Sequence, residues 1–68
     1  MLLIDLIKVM PDEERIVIWE NPRKKFAVSG IIENLMQDGD ITTQMLEKEV
    51  LDVGYSSLYS AIGIEIDF

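Results

Sequence analysis

The chain has 68 residues, a net charge of −7, and neither cysteine nor histidine. That length holds one small domain, and the missing residue types exclude disulfides, zinc–thiolate sites and imidazole chemistry. With 49% apolar and 28% charged residues, the composition is that of a folded domain rather than a disordered one.

Leu2, Leu3, Leu6, Ile7, Val9 and Met10 fall on one side of a helical wheel, with Asp5 and Lys8 on the other, which predicts a short amphipathic helix. Pro11 disfavours helical geometry at Met10 and ends it. Pro11-Asp12-Glu13-Glu14 reads as a turn. Arg15 to Glu20 is β-branched and aromatic and predicts a strand. Asn21-Pro22-Arg23-Lys24 predicts a turn, with Pro22 presetting φ. Lys25 to Ser29 alternates, with Phe26 and Val28 on one side and Lys25, Ala27 and Ser29 on the other. The two strands make a hairpin whose tip carries the one basic cluster, Arg23-Lys24-Lys25. That cluster is too short for a nucleic-acid footprint.

Gly30 ends the hairpin. Ile31, Ile32, Leu35 and Met36 share a helical face, with Ser29 or Gly30 expected at its N-cap and Gly39 as the left-handed residue after it. Asp40, Thr42 or Thr43 caps a single turn holding Met45 and Leu46. Glu49 to Tyr55 then reads as a strand, with a helix from Thr43 to Asp52 as the competing reading, since short apolar runs do not separate the two. Ser56-Ser57 marks a turn. In the last segment Ile62, Ile64, Ile66 and Phe68 alternate with Ala61, Gly63, Glu65 and Asp67, a half-buried strand.

The expected fold is α+β, in the order α-β-β-α-β-β. Two hairpins form a four-stranded antiparallel sheet, and two short helices cover the face bearing Ile62, Ile64 and Ile66. The last strand is strongly apolar, and if it is an edge strand its unpaired backbone groups offer a route to homo-oligomers through the sheet.

Residues 1–25 balance five acids against five bases, whereas residues 26–68 carry eight acids and the single base Lys48. Such a field repels phosphate backbones and argues against direct nucleic-acid binding. It serves solubility, or it attracts a basic protein surface such as the groove of a nucleic-acid-binding protein. The acidic candidates for that contact are Glu33, Asp38, Asp40, Glu47, Glu49 and Asp52. No window approaches the ~20 apolar residues of a membrane-spanning helix, and no signal-peptide pattern is visible. A cytoplasmic setting is therefore expected.

Catalysis finds little material. Serines 29, 56, 57 and 60 have no histidine to activate them, and lysines 8, 24, 25 and 48 sit in exposed-looking stretches. Carboxylate pairs such as Asp12/Glu13/Glu14 and Glu65/Asp67 need a pocket to act, and a fold this small is not expected to hold one of the ~300 Å³ that ligands use. Asp38, Asp40, Thr42 and Glu49 match positions 1, 3, 5 and 12 of an EF-hand loop, but Thr43 stands where that loop needs glycine. A helix end followed by capping threonines explains the segment without an ion. No catalytic, cofactor or metal site is expected.

Two strands carry apolar residues on both sides: Ile16 and Ile18 against Val17 and Trp19, and Val50 against Leu51, Val53 and Tyr55. Surplus apolar surface of this kind marks an interaction surface. Trp19, Tyr55 and Tyr59 are the aromatic candidates, since such residues are enriched where partners bind.

The order Leu3-Ile4-Asp5-Leu6-Ile7, Ile16-Val17-Ile18, Phe26-Ala27-Val28-Ser29-Gly30 before a short helix, Glu49-Val50-Leu51-Asp52-Val53 and Ile64-Glu65-Ile66 resembles small acidic proteins encoded in phages, prophages and mobile elements of Gram-positive bacteria. The likeness spans most of the chain and consists of packing positions, so it transfers no functional residue. It implies a non-enzymatic protein that binds and blocks a host protein. The alternative is an acidic nucleic-acid mimic occupying the groove of a host defence nuclease, of the anti-restriction or anti-CRISPR type.

Overall fold

The computed structural model describes residues 1–21 and 25–68. The expected turn over 21–24 and the Arg23-Lys24 part of the basic tip lie largely outside them. The elements are α1 (Leu3–Lys8), β1 (Arg15–Asn21), β2 (Lys25–Ile31), α2 (Ile32–Gln37), α3 (Thr43–Leu46), β3 (Val50–Ser56) and β4 (Ala61–Asp67). The class is α+β with one four-stranded sheet, and the single turn after Thr42 forms a third helix beyond the two expected.

The sheet order is β2-β1-β4-β3. β1/β2 and β3/β4 are antiparallel hairpins, but β1 and β4 run parallel, Ile16 opposite Ile62 and Ile18 opposite Ile64. The sheet is therefore mixed rather than purely antiparallel as expected, and β4 is a central strand, so the condition for pairing through it as an edge is not met. Its alternating isoleucines explain the position. Ile64 and Ile66 are fully buried, as are Ile16 and Ile18, and pairing the two isoleucine strands side by side removes their apolar surface from water. Edge-strand self-association through β4 has no free edge to use. The edges are β2 and β3.

One core cluster joins Ile16, Ile18, Ile64 and Ile66 to Leu3 and Ile7 of α1, Ile32 and Leu35 of α2, and Met45 of α3, with Ile41 between α2 and α3. Leu2 and Val9, counted on the apolar face of the wheel, are 37% and 77% exposed. The Leu2 amide donates to Asp5 Oδ2 at 3.2 Å, so Asp5 closes the first turn of α1. The start of α2 is satisfied otherwise than Ser29 or Gly30 would have done it. Its N-cap is Ile31, and the amides of Ile32 and Glu33 donate to the carbonyls of Glu14 and Asp12 at 3.0 and 2.9 Å. The loop before β1 thus supplies the acceptors that helix N-termini need.

The far end of α2 closes as a Schellman motif. Asp40 N–H donates to Leu35 O at 3.0 Å and Gly39 N–H to Met36 O at 3.4 Å, with Gly39 at φ +75° supplying the left-handed residue. Thr42 Oγ1 then accepts from Met45 N–H at 3.2 Å and caps α3. Thr42→Ala should cost about 1 kcal/mol, read as a lower urea midpoint with an unchanged slope. An unchanged midpoint would show that the cap contributes nothing to folding.

Two register shifts alter which residues share a face. Ile18 pairs with Val28 and Trp19 with Phe26, leaving Ala27 as an extra residue in β2. Val50 pairs with Ile66 and Asp52 with Glu65, leaving Leu51 extra in β3. Each β-bulge reverses the alternation beyond it. Phe26 and Val28 therefore lie on opposite faces rather than together, and Val53 and Tyr55 stand on the helix side with Val50 rather than opposite it.

Candidate functional site

Two surfaces stand apart from the core. The first is the β3 margin. β3 pairs with β4 along one side only. Its start is covered on the other side by the N-terminal segment: Leu2 bridges Glu49 and Val50 N–H donates to Met1 O at 2.8 Å. From Leu51 onward no strand among the described residues pairs with the outer edge. Leu51, Val53 and Tyr55 are 49%, 47% and 72% exposed, and Leu58 at the tip of the β3–β4 turn is 83% exposed. Val53 and Tyr55 lie opposite Ile64 and Ile62 on the face where the core cluster sits, but beyond the reach of the helices. Exposed edges normally carry lysine, proline or inward charge against unwanted pairing. Here Asp52 and the Leu51 bulge serve that end beyond the stretch covered by the N-terminal segment.

The second surface is the face of the sheet turned away from the helices. In register across β2, β1, β4 and β3 it carries Phe26, Trp19, Glu65 and Asp52, and in the next row Ser29, Val17, Gly63 and Gly54. The rings of Trp19, Phe26 and Tyr59 form a trio. Trp19 meets the other two edge-on, 5.8 Å from Phe26 and 5.6 Å from Tyr59, and Phe26 stacks on Tyr59 at 5.9 Å. Edge-on and stacked pairs of this kind are the favoured aromatic arrangements. Tyr59 reaches the trio because the β3–β4 turn folds over this face. Ser56 Oγ accepts from Tyr59 N–H at 3.4 Å, and Ser60 adopts φ +50°. Val17 lies on this helix-free face yet is fully buried. Beside the trio lies an open trough of about 390 Å³ lined by Trp19, Gly54, Gly63, Asp52, Glu65 and Ser56, with Tyr55 at its margin. A groove of about 410 Å³ runs between α1 and α2, past Ile4, Met10 and Met36. Depressions of ligand size are thus present in this small fold, against expectation, although both are open to solvent.

The acidic candidates are not brought together. Glu33 is in the first turn of α2, Asp38 and Glu47 follow the ends of α2 and α3, and Asp40 lies in the loop between them. All are exposed. Glu49 accepts from the Met1 ammonium at 2.8 Å, the single ion pair among the described residues, and this bond raises the pKa of the Met1 amine. Asp52 stands apart on the opposite face of the sheet. Among the described residues no three acidic side chains gather as a metal-holding group, and Thr42, the middle ligand of the EF-hand spacing, is occupied in capping α3. No helix among the described residues is long and apolar enough to cross a membrane.

Of the aromatic candidates, Trp19 and Tyr59 meet each other, while Tyr55 lies alone on the β3 margin. Sequence reading missed Gly54 and Gly63, and it weighed Glu65 only as half of a carboxylate pair with Asp67. The two glycines are equally far from the turn over 57–60, so a hairpin register alone places them opposite each other. The fold and these two surfaces define a small mixed-sheet α+β protein. No protein-family model matches the chain, no curated protein matches it, and no solved structure matches it.

Proposed function

We propose that the chain is a non-enzymatic protein-binding module that docks its partner at β3. The observation that supports this reading most is the free edge from Leu51 to Ser56, with Leu51, Val53 and Tyr55 exposed beside it. An extended segment of a partner adds a strand to such an edge through backbone hydrogen bonds, and alternate side chains supply the selectivity. A basic partner fits better than a second copy, because two chains of net charge −7 repel each other. The resemblance to small acidic phage and mobile-element proteins points to a host protein in the cytoplasm, which the module would block by occupying it.

The test compares capture from a host lysate by the wild type and by a Val53→Lys/Tyr55→Lys variant. Both side chains are exposed, so the variant should fold. Capture should fall about tenfold or more. Equal capture by both proteins would contradict docking at β3, and sedimentation of a dimer that the variant abolishes would make the occupant a second copy.

The acidic-mimic reading keeps one supporting feature: Glu33, Asp38, Asp40 and Glu47 are exposed on the helix layer and have no cationic partner among the described residues. Mimicry makes binding fall steeply with ionic strength. Asp38→Lys/Asp40→Lys is expected to leave capture within about threefold of wild type, which is under 1 kcal/mol. Loss of capture in that variant, together with steep salt dependence, would favour the mimic.

A further inference from the structure

The trough on the helix-free face is more than surplus surface. At about 390 Å³ it exceeds the ~300 Å³ at which small-ligand sites begin. Its floor is the cross-strand pair Gly54 and Gly63. Neither glycine has a positive φ. A Cβ at Gly54 would meet nothing within 4 Å, and one at Gly63 would make only ordinary contacts of 3.6–3.8 Å. Neither backbone geometry nor packing therefore requires glycine, although glycine weakens a strand interior. A glycine within a strand marks a bulge, a tight bend, or a place where a ligand or another backbone approaches closely, and the register shift in this hairpin lies between Val50 and Asp52, away from both glycines.

The walls say what that group is. Trp19 stands on one side. At the end of the trough Asp52 and Glu65 lie directly opposite each other on neighbouring strands, an arrangement that is destabilising for like charges. Glu65 is held by the Asn21 side-chain amide, and neither carboxylate has a cationic partner among the described residues. Two carboxylates beside an indole suit a flat cation that pairs with the first and stacks on the second. Guanidinium does both, offering a planar fork of donors to carboxylates and a face to aromatic rings. An ammonium matches only the charge.

We infer that the trough receives the guanidinium of an arginine side chain presented by the protein partner. The inference rests on the protein-binding reading and deepens it. It also accords with the net charge of −7, which attracts a basic partner.

The test titrates the protein with N-acetyl-arginine-methylamide and with its neutral citrulline counterpart, following Trp19 fluorescence and the amide resonances of Gly54 and Gly63. The expected result is saturable change with the arginine compound and none with citrulline. Gly54→Val should fill the trough, leave the thermal midpoint unchanged or higher, and weaken arginine binding about tenfold or more. Glu65→Gln, tested separately, should also weaken it. Equal responses to arginine and citrulline, binding that survives Gly54→Val, or no response to arginine would overturn the inference. The arginine and citrulline titrations do not bear on the β3 edge, which a Val53→Lys variant judges, because Val53 lies outside the trough whereas Tyr55 stands at its margin. If Val53→Lys loses the partner and Glu65→Gln captures it as well as wild type does, the partner's arginine is not in the trough and this inference fails by itself.

Discussion

Ile64→Ala is expected to remove about 2–5 kcal/mol of stability, the range for truncating a fully buried aliphatic side chain. A chain of this length has only about 3–10 kcal/mol in all, at roughly 0.05–0.15 kcal/mol per residue. The substitution should therefore consume a large share of it and raise the unfolded fraction at 37 °C. The reason is position. Ile64 is wholly buried, paired with Ile18 on one side and Val53 on the other, and part of the cluster that holds the helices to the sheet. Val53→Ala, in the same cross-strand row but 47% exposed, should cost at most about 1 kcal/mol. Urea unfolding followed by circular dichroism measures both. Similar costs at the two positions would mean that β4 is not the central strand.

The second large effect separates two kinds of glycine. Gly30 sits near the end of β2 at φ +149°, and a Cβ there would come within 3.2 Å of Leu35 Cδ2. L-residues rarely adopt that backbone conformation, and Leu35, 5% exposed in the core, has little room to move. Gly30→Ala should cost about 1–3 kcal/mol. Gly54→Ala, with open space and no positive φ, should instead gain about 0.5 kcal/mol, because glycine weakens a strand interior. A matched pair of urea melts decides this. Gly54→Ala costing as much as Gly30→Ala would show that Gly54 is needed for folding, which would remove the argument that it is kept for a ligand.

Local elements were legible from the chain because local physics sets them. The 3.6-residue pattern of Leu3, Leu6 and Ile7, the stop before Pro11, Gly39 after α2 and the capped turn at Thr42 each follow from neighbours in sequence. The strand from Val50 prevailed over a helix from Thr43 to Asp52 because α3 is a single turn ending at Leu46, after which β4 supplies backbone partners. Strand order was not legible. Both β1 and β4 are rich in isoleucine, and hairpin logic pairs each with its sequence neighbour without saying which strands meet between the hairpins. The parallel Ile16–Ile62 and Ile18–Ile64 register is a long-range choice made by burial. The bulges at Ala27 and Leu51 were equally hidden. One extra residue reverses alternation, and that placed Phe26 beside Trp19 and Asp52 beside Glu65. The trough depends on both the strand order and the second bulge, so its residues could not be grouped from sequence, whereas the exposed apolar side chains of β3 announced themselves as surplus.

Amide hydrogen exchange on the captured complex tests the central proposal most directly. Docking by strand addition predicts that amides within Leu51–Ser56 exchange markedly more slowly in the complex than in the free protein, while the α2–α3 loop around Asp38 and Asp40 is unchanged. Protection confined to that loop, with β3 exchanging at its free rate, would contradict it.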